Sequence, residues 1–290
     1  MKLFLIRHAE SEHNVAQVYA GTTDSALTNH GMLQIQRLAL HFKTQGIVFN
    51  AVFSSDLLRA CTTAEGICGL AGAEERDGDS SQLLPIVLPV LRERDFGALE
   101  GKSWLTAREG RANSVSETAG EPESHASVAS RADSFLSNHL LPVLLDAGHT
   151  AQAVAVVSHG ILLAALWEAL SRLFLSNHVV LAPDVQATKR ISSWSNTGYL
   201  ELDIGRIETA LVTPASARES DQSQDTVDAS NRAEATNDSQ NPPLHGRTLT
   251  ILTINGREHL RNLRRTPGVG SSKHDATQQR IDSFFQKPKN

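Results

Sequence analysis

The sequence predicts an α/β protein, a three-layer αβα arrangement around a mostly parallel central sheet. Short apolar runs alternate with longer stretches of helical periodicity, which implies a sheet with helices on both faces. Two of the apolar runs end in a histidine, and the alternation breaks only late in the chain.

Leu3 to Ile6 reads as the first strand, stopped by charged residues. From about Asn29 to Lys43, Leu33, Leu38, Ala39 and Phe42 fall near helical spacing. Ala51 to Phe53 reads as a buried strand, and Ser54, Ser55 and Asp56 are good N-cap residues for a helix from about Leu57 to Cys68. Ile86 to Leu91 is the third strand. A helix from about Ala126 to Leu145 leads to a fourth, Ala153 to Val157, and then to a strongly apolar helix, Ile161 to Phe174. Tyr199 to Ile204 alternates like an edge or half-exposed strand. Residues 214–246 are rich in Ser, Asp, Asn, Gln and Ala, too poor in large apolar groups to offset their ordering entropy, and read as a disordered insertion. Thr248 to Ile254 then returns to the sheet. The expected organisation is one domain over 1–255 and a basic, largely disordered tail over 256–290.

Composition narrows the function classes. At 290 residues, 40% hydrophobic and 20% charged, the chain can bury one large core or two small ones. No run approaches the ~20 apolar residues of a membrane span. The apolar start, Met1 to Ile6, is too short for a signal peptide, so the expectation is a cytoplasmic or nuclear protein without a membrane partner. Cys61 and Cys68 read as reduced thiols. Residues 1–213 carry 16 Lys and Arg against 23 Asp and Glu, whereas 256–290 carry 8 against 3. An acidic body with a basic tail suggests a separate task for the tail.

Chemistry concentrates at strand ends. Ile6-Arg7-His8 and Val157-Ser158-His159-Gly160 place imidazoles at the carboxyl ends of two strands, and Arg59 lies in the first turn after another. That edge of an open α/β sheet binds ligands, beside helix N-termini that favour anions. Two imidazoles and the guanidiniums of Arg7 and Arg59 therefore point to one anion, since guanidinium forks match phosphate. Each histidine alone could equally be a satisfied cap or core residue. A metal site is disfavoured, because Arg7 beside His8 would repel a cation.

These residues belong to a longer pattern. Arg7-His8-Ala9-Glu10-Ser11-Glu12-His13-Asn14 resembles the signature of the histidine phosphatase superfamily, which has the phosphoglycerate mutase-like fold. In order, Gly21-Thr22-Thr23-Asp24 resembles the family's loop, Ser54-Ser55-Asp56-Leu57-Leu58-Arg59 its second arginine motif, and Leu91-Arg92-Glu93 with Glu100-Gly101 its acid/base block. Ser158-His159-Gly160 resembles the second-histidine motif, and Asn196-Thr197-Gly198 a turn before a late strand. Ala9 departs from the glycine more common there. The resemblance implies His8 as the nucleophile that becomes phosphohistidine, and Glu93 as acid and base. Arg7, Arg59, His159 and Asn14 would bind the phosphate, and Gly21, Thr22 and Gly160 the substrate. No cofactor is implied. The substrate would be a phosphorylated small molecule or phosphoprotein. The resemblance implies that a mutase would carry extra basic contacts in an insertion after the acid/base block; here residues 102–125 are short and Ser/Glu-rich, with Lys102, Arg108 and Arg111 the only cations, so it favours a phosphatase. A non-catalytic phosphate-sensing adaptor is the reading from a different class.

The tail carries Gln278-Gln279-Arg280-Ile281-Asp282-Ser283-Phe284-Phe285, which resembles the PIP box that binds the replication sliding clamp, proliferating cell nuclear antigen (PCNA). A single 3₁₀ turn would set Ile281, Phe284 and Phe285 toward an apolar pocket and Gln278 at its edge. Those residues could instead dock back on the domain as a short amphipathic helix. Arg261, Arg264 and Arg265 are weak evidence for direct nucleic-acid binding.

Overall fold

The structure is a computed structural model that describes residues 1–71, 83–105, 120–146, 152–185, 194–207 and 242–275. Its elements are β1 (Lys2–Arg7), α1 (Glu12–Ala16), α2 (Asn29–Thr44), β2 (Phe49–Ser54), α3 (Leu58–Ala71) and β3 (Ile86–Val87), then α4 (His125–Phe135), α5 (Leu141–Asp146) and β4 (Ala153–Ser158), then α6 (Gly160–Ser171), β5 (Val179–Leu181), β6 (Tyr199–Arg206) and β7 (Arg247–Gly256). The seven strands form one sheet in the order β3-β2-β4-β1-β6-β7-β5. Only β6 runs antiparallel to its neighbours, so the sheet is mostly parallel, as expected.

Alternation along β1 and β4 divides the core. Leu3, Leu5, Val154 and Val156 pack under α4, α5 and α6. Phe4, Ile6, Ala155 and Val157 pack under α2 and α3. Both strands are covered on both faces, which is why each reads as a continuous apolar run. Gly31, in the first turn of α2, lets that helix meet the loop after β1: a Cβ there would lie 2.2 Å from the Glu10 carbonyl oxygen. Thr28 caps α2, its Oγ1 accepting from the Gly31 N–H.

Several expectations are corrected. The third strand stops at Val87, because Pro89 cannot donate to a ladder and opens a 3₁₀ turn to Leu91. The long helix over 126–145 is broken by a π turn at Leu136–Leu140. Pro142 follows directly, and the Leu141 N–H reaches back to the Leu136 carbonyl. Leu33 is exposed, and Ile35 takes the core position expected of it. β6 is an interior strand between β1 and β7, its alternation reflecting two unequal faces. The short elements α1 and β5 carried no readable pattern.

After β7 the chain makes 3₁₀ turns at Glu258–Leu260 and Val269–Ser271, and Lys273 pairs with Thr28. This part of the expected tail is held against the N-terminus of α2, where the Asn29 N–H donates to the Ser272 carbonyl. Residues 214–241 of the expected insertion lie outside the described residues, but its end is ordered, against the expectation: Leu244 is buried in the core and its N–H donates to the Leu173 carbonyl. Among the described residues, no helix is long and apolar enough to cross a membrane.

Candidate active site

The carboxyl ends of β2, β4 and β1 lie side by side. Arg7 pairs in register with Ser158 and Ser54 with Val157. Just beyond, the His8 N–H donates to the Ser158 carbonyl at 3.0 Å and the Ser55 N–H to the Val157 carbonyl at 3.1 Å. Arg7-His8, Ser54-Ser55 and Ser158-His159 thus leave the sheet together, and α3 and α6 start there.

His8 is buried, with Nδ1 2.7 Å from the Ala9 carbonyl oxygen. A carbonyl can only accept, so Nδ1 carries the hydrogen and Nε2 keeps its lone pair. Burial, then Arg59 and Arg7, push the imidazole pKa well below 6.5, leaving a neutral ring. The His159 ring lies 5.0 Å from it, centroid to centroid. Ser55 Oγ accepts from the Leu57 N–H at 3.3 Å and contacts His159 Nε2 at 3.0 Å. With the hydroxyl hydrogen given to Nε2, the His159 hydrogen sits on Nδ1, which is buried without a partner among the described residues. Burial and the nearby Arg59, His8, Arg7 and Arg131 also push the His159 pKa well down.

Arg59 is 1% exposed. Its Nη1 donates to the Thr23 carbonyl at 2.9 Å and its Nη2 to those of Gly21 and Ala20 at 2.7 and 3.1 Å. Burial lowers its pKa to about 10 against the pull of Glu93, Asp24 and Glu100, so it stays charged at neutral pH. Arg7 donates from Nη1 to the Trp194 carbonyl at 2.5 Å, while its buried Nε has no partner among the described residues. Burial lowers its pKa and Glu93 opposes.

Glu93 is not tied up in a surface ion pair with Arg92 or Arg94. Its carboxylate accepts from the N–H groups of Arg94 at 2.9 Å, Ile161 at 3.1 Å and Leu162 at 3.2 Å, the last two in the first turn of α6. Arg92 instead pairs with Asp56, at 2.7 and 2.5 Å, and Arg94 Nε donates to the Glu123 carbonyl. Arg131 holds the segment from below, donating to the carbonyls of Val90, Arg92 and Glu93 while pairing with Glu123.

Arg7, His8, Asn14, Arg59, Glu93 and Gly160 line one cleft of about 800 Å³. The wall beyond them is largely aromatic and apolar, with Tyr19, Phe96, Trp104, Val128, Ile161, Ala165 and Trp194, and it also carries His13, His125 and Glu168. Asn14 Oδ1 accepts from the Ser11 N–H and the Asn196 amide, which leaves its own NH₂ for a ligand. Gly21 and Thr22 are placed differently from the expectation. Their N–H groups, with that of Phe96, are given to the Glu100 carboxylate at 3.0 to 3.2 Å. Burial disfavours the charged Glu100, yet these bonds and those of Thr23 keep its pKa below the ordinary value. Gly21 is required, because a Cβ would fall 2.1 Å from the Arg94 carbonyl oxygen.

Thr63, Glu100, Arg131 and Asn196 support the site, and the sequence patterns around them assign none of them a role. Thr63 Oγ1 accepts from the Ala9 N–H at 3.0 Å and donates to the Arg59 carbonyl at 2.7 Å, tying the loop after β1 to α3. The i, i+4 spacing of Arg59 and Thr63 on one helix was the available signal. Gln278, Ile281, Phe284 and Phe285 lie outside the described residues. Among the described residues, no group of three or more His, Cys, Asp or Glu is placed to hold a metal ion.

A family model described as Histidine phosphatase superfamily (branch 1) matches residues 3–202. The chain is 28% identical over 284 residues to a probable phosphatase of Schizosaccharomyces pombe, covering 98% of this chain and 79% of that protein. It is 32% identical over 187 residues to a 2,3-bisphosphoglycerate-dependent phosphoglycerate mutase of Rhizobium etli, covering 62% of this chain and 84% of the mutase. Among solved structures, a mycobacterial hydrolase superposes with a TM-score of 0.57 at 20% identity, over 88% of this chain and 98% of that one.

Proposed function

Because the chain belongs to branch 1 of the histidine phosphatase superfamily, we propose that it is a phosphomonoesterase that works through a phosphohistidine on His8. The observation that carries this reading is the His8 ring itself, neutral, anchored through Nδ1 on the Ala9 carbonyl, with Nε2 unpaired among the described residues and the Arg59 and Arg7 guanidiniums nearby.

In the first step the Nε2 lone pair attacks phosphorus and the bond to the ester oxygen breaks. Glu93 gives the departing alkoxide its proton. Arg7, Arg59 and His159 Nδ1–H meet the non-bridging oxygens as charge shifts onto them, and the Asn14 amide adds a donor. In the second step Glu93 takes a proton from water as its oxygen attacks phosphorus. The Nε2–P bond breaks, inorganic phosphate leaves, and both side chains are restored.

Relatives include phosphatases and phosphoglycerate mutases, so either activity suits the family. Hydrolysis is favoured here by the wall past the phosphate end, where Trp104, Val128, Ile161 and Ala165 offer apolar contact to a leaving group. Turnover of p-nitrophenyl phosphate without added bisphosphoglycerate is the expected result. Strict dependence on a bisphosphate would favour the mutase, and phosphate binding without turnover the adaptor. The proposed partner motif at 278–285 is tested separately, by binding of a 274–290 peptide to the sliding clamp and its loss with Phe284→Ala and Phe285→Ala.

A further inference from the structure

The turn around Thr197 shows something the reaction steps leave unused. Thr197 is fully buried and adopts the left-handed conformation, with φ at 55°, which is costly for a β-branched residue and persists only where surroundings impose it. Its N–H is shared between the carbonyls of Arg7 at 3.1 Å and His8 at 3.3 Å. Its Oγ1 donates to the Asn196 carbonyl at 2.7 Å and so has only lone pairs left for His259 Nε2, 2.9 Å away. His259 Nε2 therefore carries the hydrogen and donates it.

His259 comes from the 3₁₀ turn after β7. Its ring lies 5.9 Å from that of His41 on α2 and 6.1 Å from that of Tyr199 on β6, and its Nδ1 is buried without a partner among the described residues. A buried imidazole with one nitrogen unpaired is a costly way to fill a core, where a hydrocarbon ring would pack without that penalty. What only a donor can do at this place is hold the Thr197 hydroxyl. The same strap braces the other flank of the nucleophile loop, where Arg265 lies 3.6 Å from Glu10 and Lys273 pairs with Thr28.

We propose that His259 is a positioning residue for phosphoryl transfer: it locks Thr197 in its strained conformation, which fixes the Arg7 and His8 carbonyls and so directs His8. The proposal rests on His8 being the nucleophile. The test is a rapid-quench, single-turnover measurement of His8 phosphorylation by p-nitrophenyl phosphate in the full chain. His259→Phe keeps a ring and removes the donor, and Thr197→Val keeps the shape and removes the hydroxyl. Each is expected to slow transfer and kcat by about tenfold to a hundredfold with KM little changed, because small misplacements of a reacting group act on the chemical step. His259→Gln, whose amide can donate to Thr197, restores most of the rate. Tyr199→Phe is the control, since it deletes the bonds to His41 and Glu258 in the same cluster and spares the Thr197 contact. It keeps the wild-type rate. A wild-type transfer rate in both His259→Phe and Thr197→Val overturns the proposal, as does an equal loss in Tyr199→Phe. Absence of phosphoenzyme on the wild type overturns the nucleophile reading itself, and the proposal with it.

Discussion

At its inner end the cleft is closed by side chains that the sheet delivers and the core holds. Arg59 is 1% exposed with three carbonyl partners, and His8 is buried with one nitrogen anchored, its ring 5.0 Å from that of His159, which is buried beside the cleft and likewise anchored. At its outer end Trp104 is 42% exposed, and the Tyr19 and Phe96 rings lie 4.6 Å apart, with the Arg94 guanidinium 5.8 Å from the Phe96 ring. The inner end has a geometry already paid for by folding, so it can stabilise charge without reorganising. The outer wall offers area, and can trade one leaving group for another.

If that contrast is right, substitutions at the two ends differ in kind. Arg59→Ala removes a buried cation and strands the carbonyls of Ala20, Gly21 and Thr23. It is expected to lower kcat/KM for every substrate by about a hundredfold to a thousandfold and to lower the melting temperature, read by steady-state kinetics and calorimetry. A substrate-dependent loss would erase the distinction between the two ends.

The buried residues that support the inner end should also announce themselves in acid. His259 has its pKa pushed down to about 4, chiefly by burial and then by His41, against 6.5 unfolded. The unfolded chain then binds more protons than the folded one between those values, so stability falls as pH falls from about 6.5 to 4. The loss is about 3 kcal/mol from this residue. His8 and His159 act in the same direction. Glu123, held down to about 2 mainly by Arg131, adds its loss only below about 4.5. Urea titrations of wild type and His259→Phe across this window should show a flatter dependence in the variant; identical slopes would contradict the assignment.

The smallest effect belongs to the wall. Trp104→Ala is expected to change kcat/KM by about fivefold, as befits about 1 kcal/mol of lost apolar contact, and by different factors for aryl and small polar esters. Inhibition by inorganic phosphate should not change.

The same contrast explains what was legible in the sequence. Arg7, His8, Ser158 and His159 sit where an apolar run meets a polar stop, so their position at strand ends could be read directly, and Arg59 followed from its cap. Gly21 and Thr22 are expected at the substrate, yet their N–H groups face Glu100, some eighty residues away, and no local pattern encodes that pairing. β3 was overdrawn because its apolar run continues past Pro89, which ends it for want of an N–H. The role of His259 is unreadable for the same reason as the pairing of Glu100: its partner, Thr197, lies 62 residues earlier. Contacts between distant segments, rather than strand ends, are where the reading ran out.

On the proposed mechanism, phosphate passes through His8. Glu93→Gln isolates this, because p-nitrophenolate leaves without a proton whereas water still needs a base to attack the phosphoenzyme. Acid-quenched, proteolysed samples of that variant, incubated with p-nitrophenyl phosphate, should carry close to one acid-labile phosphate per chain on the peptide containing His8, and none when His8→Ala is added. Product release by the doubly substituted chain at the single variant's rate, or labelling at any other residue, would contradict the account.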